Sequence, residues 1–178
     1  MANPFAGLVQ SNNTPKTQHA GDALIPVMWK YAQSMSKVTG KPAVDFYKLL
    51  METANQESHF GIMSKNIMQL TSGTINDLNK RNPKLLKDMG VSNFDINNPD
   101  NNIGFAAAIY LNKIKDNKIN VSTLDLSTQE NRAKIWKKLY NSYAPSAAGT
   151  PEKYLGTNSM MDWTKTDDWW KQINAKSI

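Results

Sequence analysis

Glu57 closes the inward stripe of an amphipathic segment. Between Phe46 and Gly61, the residues Phe46, Leu49, Leu50, Thr53 and Ala54 recur at helical spacing and mark one buried face. One more turn carries that face to Glu57, with Gly61 just beyond as the residue that ends the helix. Burial disfavours the charged form of a carboxyl, and the negative end of a helix dipole disfavours it further. A carboxylic acid that keeps its proton near neutral pH is a general acid. It matches the need of a leaving oxygen such as that of a glycosidic bond. The alternative is an ion pair, since the chain holds 21 Lys and Arg residues that an inward Glu could meet.

Further motifs follow Glu57-Ser58 in order. Asn66-Ile67-Met68-Gln69-Leu70 comes first. Asn98-Pro99-Asp100-Asn101-Asn102-Ile103-Gly104 follows, running into Phe105-Ala106-Ala107-Ala108-Ile109-Tyr110-Leu111, and then Leu139-Tyr140-Asn141. This order resembles the catalytic domain of soluble lytic transglycosylases, which share the lysozyme-like fold with goose-type lysozymes. The family reads Glu-Ser, Gly-Leu-Met-Gln-Leu/Ile, Asn-Ile before an Ala-rich helix ending in Tyr-Leu, and Tyr-Asn. The matched motifs span about half of the chain.

The resemblance implies an enzyme that cleaves the β-1,4 bond between N-acetylmuramic acid and N-acetylglucosamine in peptidoglycan, leaving a 1,6-anhydro end. Glu57 would be its single acid and base. The resemblance also implies substrate-binding roles for Ser58, Met68, Gln69, Asn102, Tyr140 and Asn141. Ser58 could hold the carboxyl or a sugar, and Met68 would be an apolar floor beside Glu57. The Gln69 amide offers a donor and an acceptor, Tyr140 would reach the carboxyl, and Asn141 would bind the N-acetyl amide. For Met68 and Tyr140 a plain core role stands beside the functional one. No metal and no organic cofactor is implied.

The chain departs from the family pattern in two places. The stretch from Glu-Ser to Met-Gln is shorter than usual, and Asn66 stands where the family has Gly. Ser142-Tyr143-Ala144-Pro145 follows Tyr140-Asn141 in place of a small residue and Gly. These departures point to a distant or phage-encoded member.

Two close alternatives share the expected fold. A muramidase would add water, and an inverting one needs a second carboxylate roughly 6.5–9.5 Å from the first. Asp77, Asp95 and Asp100 are the candidates, and none lies in a motif that places it. A non-catalytic wall-binding virion protein is the other, although a retired site has no need of its acid.

Composition sets outer bounds. The 178 residues suffice for one domain with a sizeable core, and 40% hydrophobic with 20% charged residues is ordinary for a globular protein. No apolar run reaches membrane-spanning length. The first ten residues lack the basic start and apolar core of a secretory signal. Peptidoglycan lies outside the cytoplasmic membrane, so the expectation is delivery by a phage particle, a phage lysis system or a secretion machine. With no cysteine there is no disulfide or thiol nucleophile, and His19 and His59 are too far apart for a metal site. His59, two residues from Glu57, points elsewhere on a helix.

The net charge of +6 suits an anionic cell wall and equally suits nucleic acid. The lysines are scattered, without an aromatic-interleaved basic run, so no nucleic-acid partner is expected.

The elements that must position Glu57 read as helices. Residues 1–21 are polar and read as a flexible arm, and 22–178 as one mainly α, lysozyme-like domain with little or no β-structure. Ile25, Met28, Trp29, Ala32 and Met35 mark a helix over 24–38, and the Glu57 helix spans 43–59. A short loop over 61–70 carries Met-Gln. Thr71 or Ser72 caps a helix with Ile75 and Leu78, and Pro83 to Met89 forms another short one, ended by Gly90. Asn98-Pro99 starts a central helix to about Lys115, with an Ala run for close packing. Ser127 and Glu130 form a capping-box pattern before a helix carrying Ala133, Trp136, Leu139, Tyr140 and Tyr143. Short helices from Thr150 and Thr166 complete the tail, whose Trp163, Trp169 and Trp170 read as packing residues before a glycan platform.

Overall fold

The computed structural model describes residues 15–58, 60–128, 130–132, 134 and 135. Five α-helices follow one another: α1 (Pro15–Thr39), α2 (Ala43–Ser58), α3 (Ser72–Arg81), α4 (Pro83–Asp88) and α5 (Pro99–Asp116). A 3-10 turn (Val121–Thr123) comes next, and residues 130–132, 134 and 135 are helical. Among the described residues there is no strand, so the chain is mainly α as its periodicity predicts.

The stripe leading to Glu57 forms as expected. Phe46, Leu49, Leu50, Thr53 and Ala54 are all buried on α2. They pack against α1, whose Ile25, Met28, Ala32 and Met35 are buried, with Trp29 edge-on to Tyr47 at 6.0 Å between ring centroids. α1 starts earlier than the polar composition predicts. Pro15 stands at its first residue, where a missing N–H costs nothing, so residues 15–21 are helix rather than arm. Residues 1–14 lie outside the described residues. Pro26 lies within α1 without ending it.

α5 is the central helix. Every residue from Asn101 to Asn112 is buried. Asn98 caps it by accepting from the Asn101 N–H, and Pro99 is its first residue. Gly104 lets α5 approach α1. A Cβ there would lie 2.5 Å from Cζ of the fully buried Tyr31 and 2.8 Å from Val91 Cγ2. Close approach is thus carried by Gly104, next to the Ala run that the sequence reading singled out.

The caps explain the other boundaries. Thr71 caps α3 by accepting from the Thr74 N–H. Val91 N–H bonds to Leu86 O past Gly90, at φ 69°, and Ile119 N–H bonds to Ile114 O past Lys118, at φ 50°. Both are Schellman-type endings, with a left-handed residue closing the helix. In place of the capping box expected at Ser127, a single cap bond forms one residue on. Thr128 Oγ1 accepts from Asn131 N–H, while Ser127 donates its hydroxyl to Asp125. Either residue offers the same hydroxyl, and the Asp125 turn takes up that of Ser127.

Candidate active site

α2 delivers Glu57 to a sharp reversal of the chain. Phe60 N–H reaches back to Ala54 O at 3.1 Å, and Met63 N–H to Ser58 O at 3.0 Å. Phe60 and Gly61 both have left-handed backbone, at φ 59° and 90°. Gly61 is needed for that reason, and a Cβ there would also press on Ile67 at 3.2 Å. Glu57 is half-buried at this turn. Burial pushes its carboxyl up to about 7, and among the described residues no cation stands within ion-pair range of it. The ion-pair alternative is realised instead one and a half turns earlier on the same helix, at Glu52.

Arg132 meets Glu52 with two parallel bonds, Nε to Oε2 at 2.8 Å and one NH2 nitrogen to Oε1 at 2.7 Å. Its remaining nitrogen donates to Leu126 O and Ser127 O. Both side chains are buried, so this pair ties the 124–132 segment to α2. Sequence reasoning missed it. The available signal was Glu52 itself, a charged residue between the buried Met51 and Thr53.

The loop after Glu57 is held from two helices at a single peptide unit. Ser58 Oγ donates to Ile67 O at 2.7 Å, and Met68 N–H donates to Asn102 Oδ1 at 3.0 Å. Ser58 Oγ also accepts from Gly61 N–H at 2.8 Å. Ser58 and Asn102 are wholly buried, so these residues shape the loop and present no polar atom to a sugar. That differs from the substrate contact the resemblance implies for them. The physical reason is position, because both side chains face inward between α2, α5 and the loop.

Met68 is buried at 4% exposure, with Phe60 and Ile67, in the apolar core that adjoins the turn. Gln69 is exposed, with left-handed backbone at φ 50°. Tyr110 of α5 places its hydroxyl 2.7 Å from Thr53 Oγ1, one turn before Glu57 on the same face of α2. Its signal in the sequence was the Tyr-Leu that ends the Ala-rich helix. Tyr140 and Asn141 lie outside the described residues, as do His59 and the three tail tryptophans.

The three aspartates weighed as a second carboxylate are engaged locally. Asp77 pairs with Arg81 at 2.9 Å. Asp95 accepts from the Asn97 N–H. Asp100 accepts from Lys30 at 2.7 Å and from the Tyr31 hydroxyl at 3.0 Å. Among the described residues, no three His, Cys, Asp or Glu side chains converge as a metal site would require.

No family model, no curated protein and no solved structure matches this chain. The chemistry proposed for the site therefore rests on its residues and their geometry.

Proposed function

We propose that the protein is a peptidoglycan-cleaving lytic transglycosylase with Glu57 as its single acid and base. The observation that carries this reading is the contrast on α2, where Glu52 is paired with Arg132 while Glu57 is half-buried and its carboxyl is raised to about 7 by burial. A carboxyl in that range is present in both forms at neutral pH, so it can give a proton and take one back. The order of Glu57-Ser58, Met68-Gln69 and Asn102-Ile103 along the chain adds support, since those residues meet around one loop.

In the proposed reaction Glu57 gives its proton to the bridging oxygen as the bond from the muramic anomeric carbon breaks. The substrate's N-acetyl group stabilises the cation-like centre. The muramic 6-hydroxyl oxygen then bonds to the anomeric carbon, and its proton returns to Glu57. The atoms balance without water, and the products are an anhydro-ended strand and a new free 4-hydroxyl. Asp77, Asp95 and Asp100 each have a local partner, which favours this single-carboxylate route over an inverting hydrolase.

The proposed site of action is the cell wall, reached by way of a phage particle or lysis system. Among the described residues no helix is long and apolar enough to cross a membrane. The net charge of +6 favours approach to an anionic wall.

The test is mass spectrometry of fragments released from purified Gram-negative sacculi by the native chain and by Glu57→Gln. Anhydro-ended fragments from the native chain alone are expected. Reducing ends would make it a muramidase. Release by neither, with both proteins folded and the walls bound, would make it a wall-binding protein.

A further inference from the structure

Gln69 is exposed, yet its backbone lies in the left-handed region that residues with a Cβ seldom adopt. Something must hold it there, and a single residue supplies every bond. Asn66 O accepts from the Gln69 backbone N–H at 3.0 Å and from Gln69 Nε2 at 3.2 Å. Asn66 Oδ1 accepts from Leu70 N–H at 2.9 Å, and Asn66 Nδ2 donates to Leu70 O at 2.8 Å. The peptide units before and after the Gln69 Cα are thus both fixed to Asn66, which sets φ and ψ together.

Asn66 is itself anchored. Its Oδ1 also accepts from Asn102 Nδ2 at 3.0 Å, and Asn102 Oδ1 takes the Met68 N–H. The amide orientations follow from the backbone. Met68 N–H and Leu70 N–H can only donate, so each must face an oxygen, which leaves Asn102 Nδ2 to face Asn66 Oδ1. An Asp at 66 would supply the acceptors and lose the donor to Leu70 O. An Ala would keep only the backbone carbonyl that faces Gln69 and would lose both side-chain bonds to Leu70.

We propose that Asn66, braced by Asn102, is a positioning residue that locks Gln69 in its left-handed conformation and so presents the Gln69 amide to the glycan. The glycan part rests on the proposed function of Glu57, and the conformational part does not. Strain held at an exposed residue by a part-buried network anchored on the buried Asn102 is expected where a side chain must be aimed. Ser58 ties the same loop to the helix that carries Glu57, and Asn102 ties it to α5.

The test has two arms. By NMR, Gln69 in the native chain should show the strong intraresidue amide-to-Hα NOE of a left-handed residue. Asn66→Ala should lose it, and Asn66→Asp should retain it in part, which also guards against a misfolded Ala variant. A native-strength NOE in folded Asn66→Ala overturns the proposal. By kinetics on soluble glycan strands, Asn66→Ala and Gln69→Ala should each raise KM on the order of tenfold with kcat nearly unchanged, the signature of lost substrate binding. The double variant should be no worse than Gln69→Ala alone. Effects that multiply in the double variant overturn the coupling. A native chain inactive on glycan overturns the glycan role of Gln69 and the proposed function with it, while the NMR arm still decides whether Asn66 sets the Gln69 backbone.

Discussion

Ser58 and Asn102 hold opposite ends of one peptide unit, the hydroxyl of Ser58 on Ile67 O and the amide oxygen of Asn102 on Met68 N–H. One residue follows Glu57 directly on α2 and the other lies in the first turns of α5. The peptide between Ile67 and Met68 is therefore the joint through which the central helix fixes the loop beside the acid.

Breaking that joint from the α5 side should be costly. Asn102→Ala leaves a buried N–H without its acceptor, a loss of roughly 1–3 kcal/mol. Denaturant unfolding should show it. Native-state hydrogen exchange should show faster exchange at the Met68 amide in Asn102→Ala, while Ser58→Ala should leave that amide bonded and slow.

Glu57 links stability to pH with a definite sign. Its carboxyl is raised from 4.5 to about 7 in the folded chain by burial. Below about pH 4.5 it is protonated in both states and imposes no penalty. As pH rises toward and through 7, the folded state is increasingly disfavoured. Glu57→Gln should therefore be more stable than the native chain at pH 8, by roughly 1–3 kcal/mol, and equal to it at pH 4. Thermal unfolding at the two pH values reads this directly.

Under the proposed function the same carboxyl would set the activity profile. If Glu57 is the acid, kcat/KM on glycan strands should fall as pH rises through about 7. At and below pH 7 Glu57→Gln should lose on the order of 10²–10⁴ in rate, since its amide has no proton to give, and the gap should narrow at higher pH.

Arg132 and Glu52 form a buried pair whose halves depend on each other. Arg132→Ala should destabilise the chain by about 3–5 kcal/mol because the buried Glu52 carboxylate loses its arginine. Replacing both partners, as Glu52→Leu with Arg132→Met, should recover most of that loss. A double-mutant cycle by denaturant unfolding measures it, and additive losses would contradict the pairing.

Gly104 is fixed by contact with Tyr31. Gly104→Ala improves helix propensity by about 1 kcal/mol, yet its Cβ meets the fully buried Tyr31 ring at 2.5 Å. The clash should win, giving a net loss on the order of 1–3 kcal/mol. Gly104→Ala with Tyr31→Phe should recover only part of it, because the Tyr31 Cζ contact remains.

Much of the helical frame was legible in the sequence. α2 runs from Ala43 to Ser58 on the stripe that Phe46, Leu49, Leu50, Thr53 and Ala54 announce, and α5 starts on Asn98-Pro99. These are local signals, and periodicity or a cap acts within a few residues of itself. The start of α1 was not legible, because the polar residues 15–21 carry little apolar periodicity.

The sequence by itself determined that α2 is a helix whose inward face ends in an acid, and that a short loop carrying Met68 and Gln69 follows. Tertiary structure decided what each polar residue does there. Among the described residues it gave Glu52 the arginine and left Glu57 with burial alone, because Arg132 folds back to only one of the two. It turned Ser58 and Asn102 inward as braces and Asn66 into the clamp on Gln69, because buried peptide groups between α2 and α5 required partners. The Glu52–Arg132 pair and the Asn102 bonds to Met68 and Asn66 join residues distant along the chain, and no local pattern encodes them.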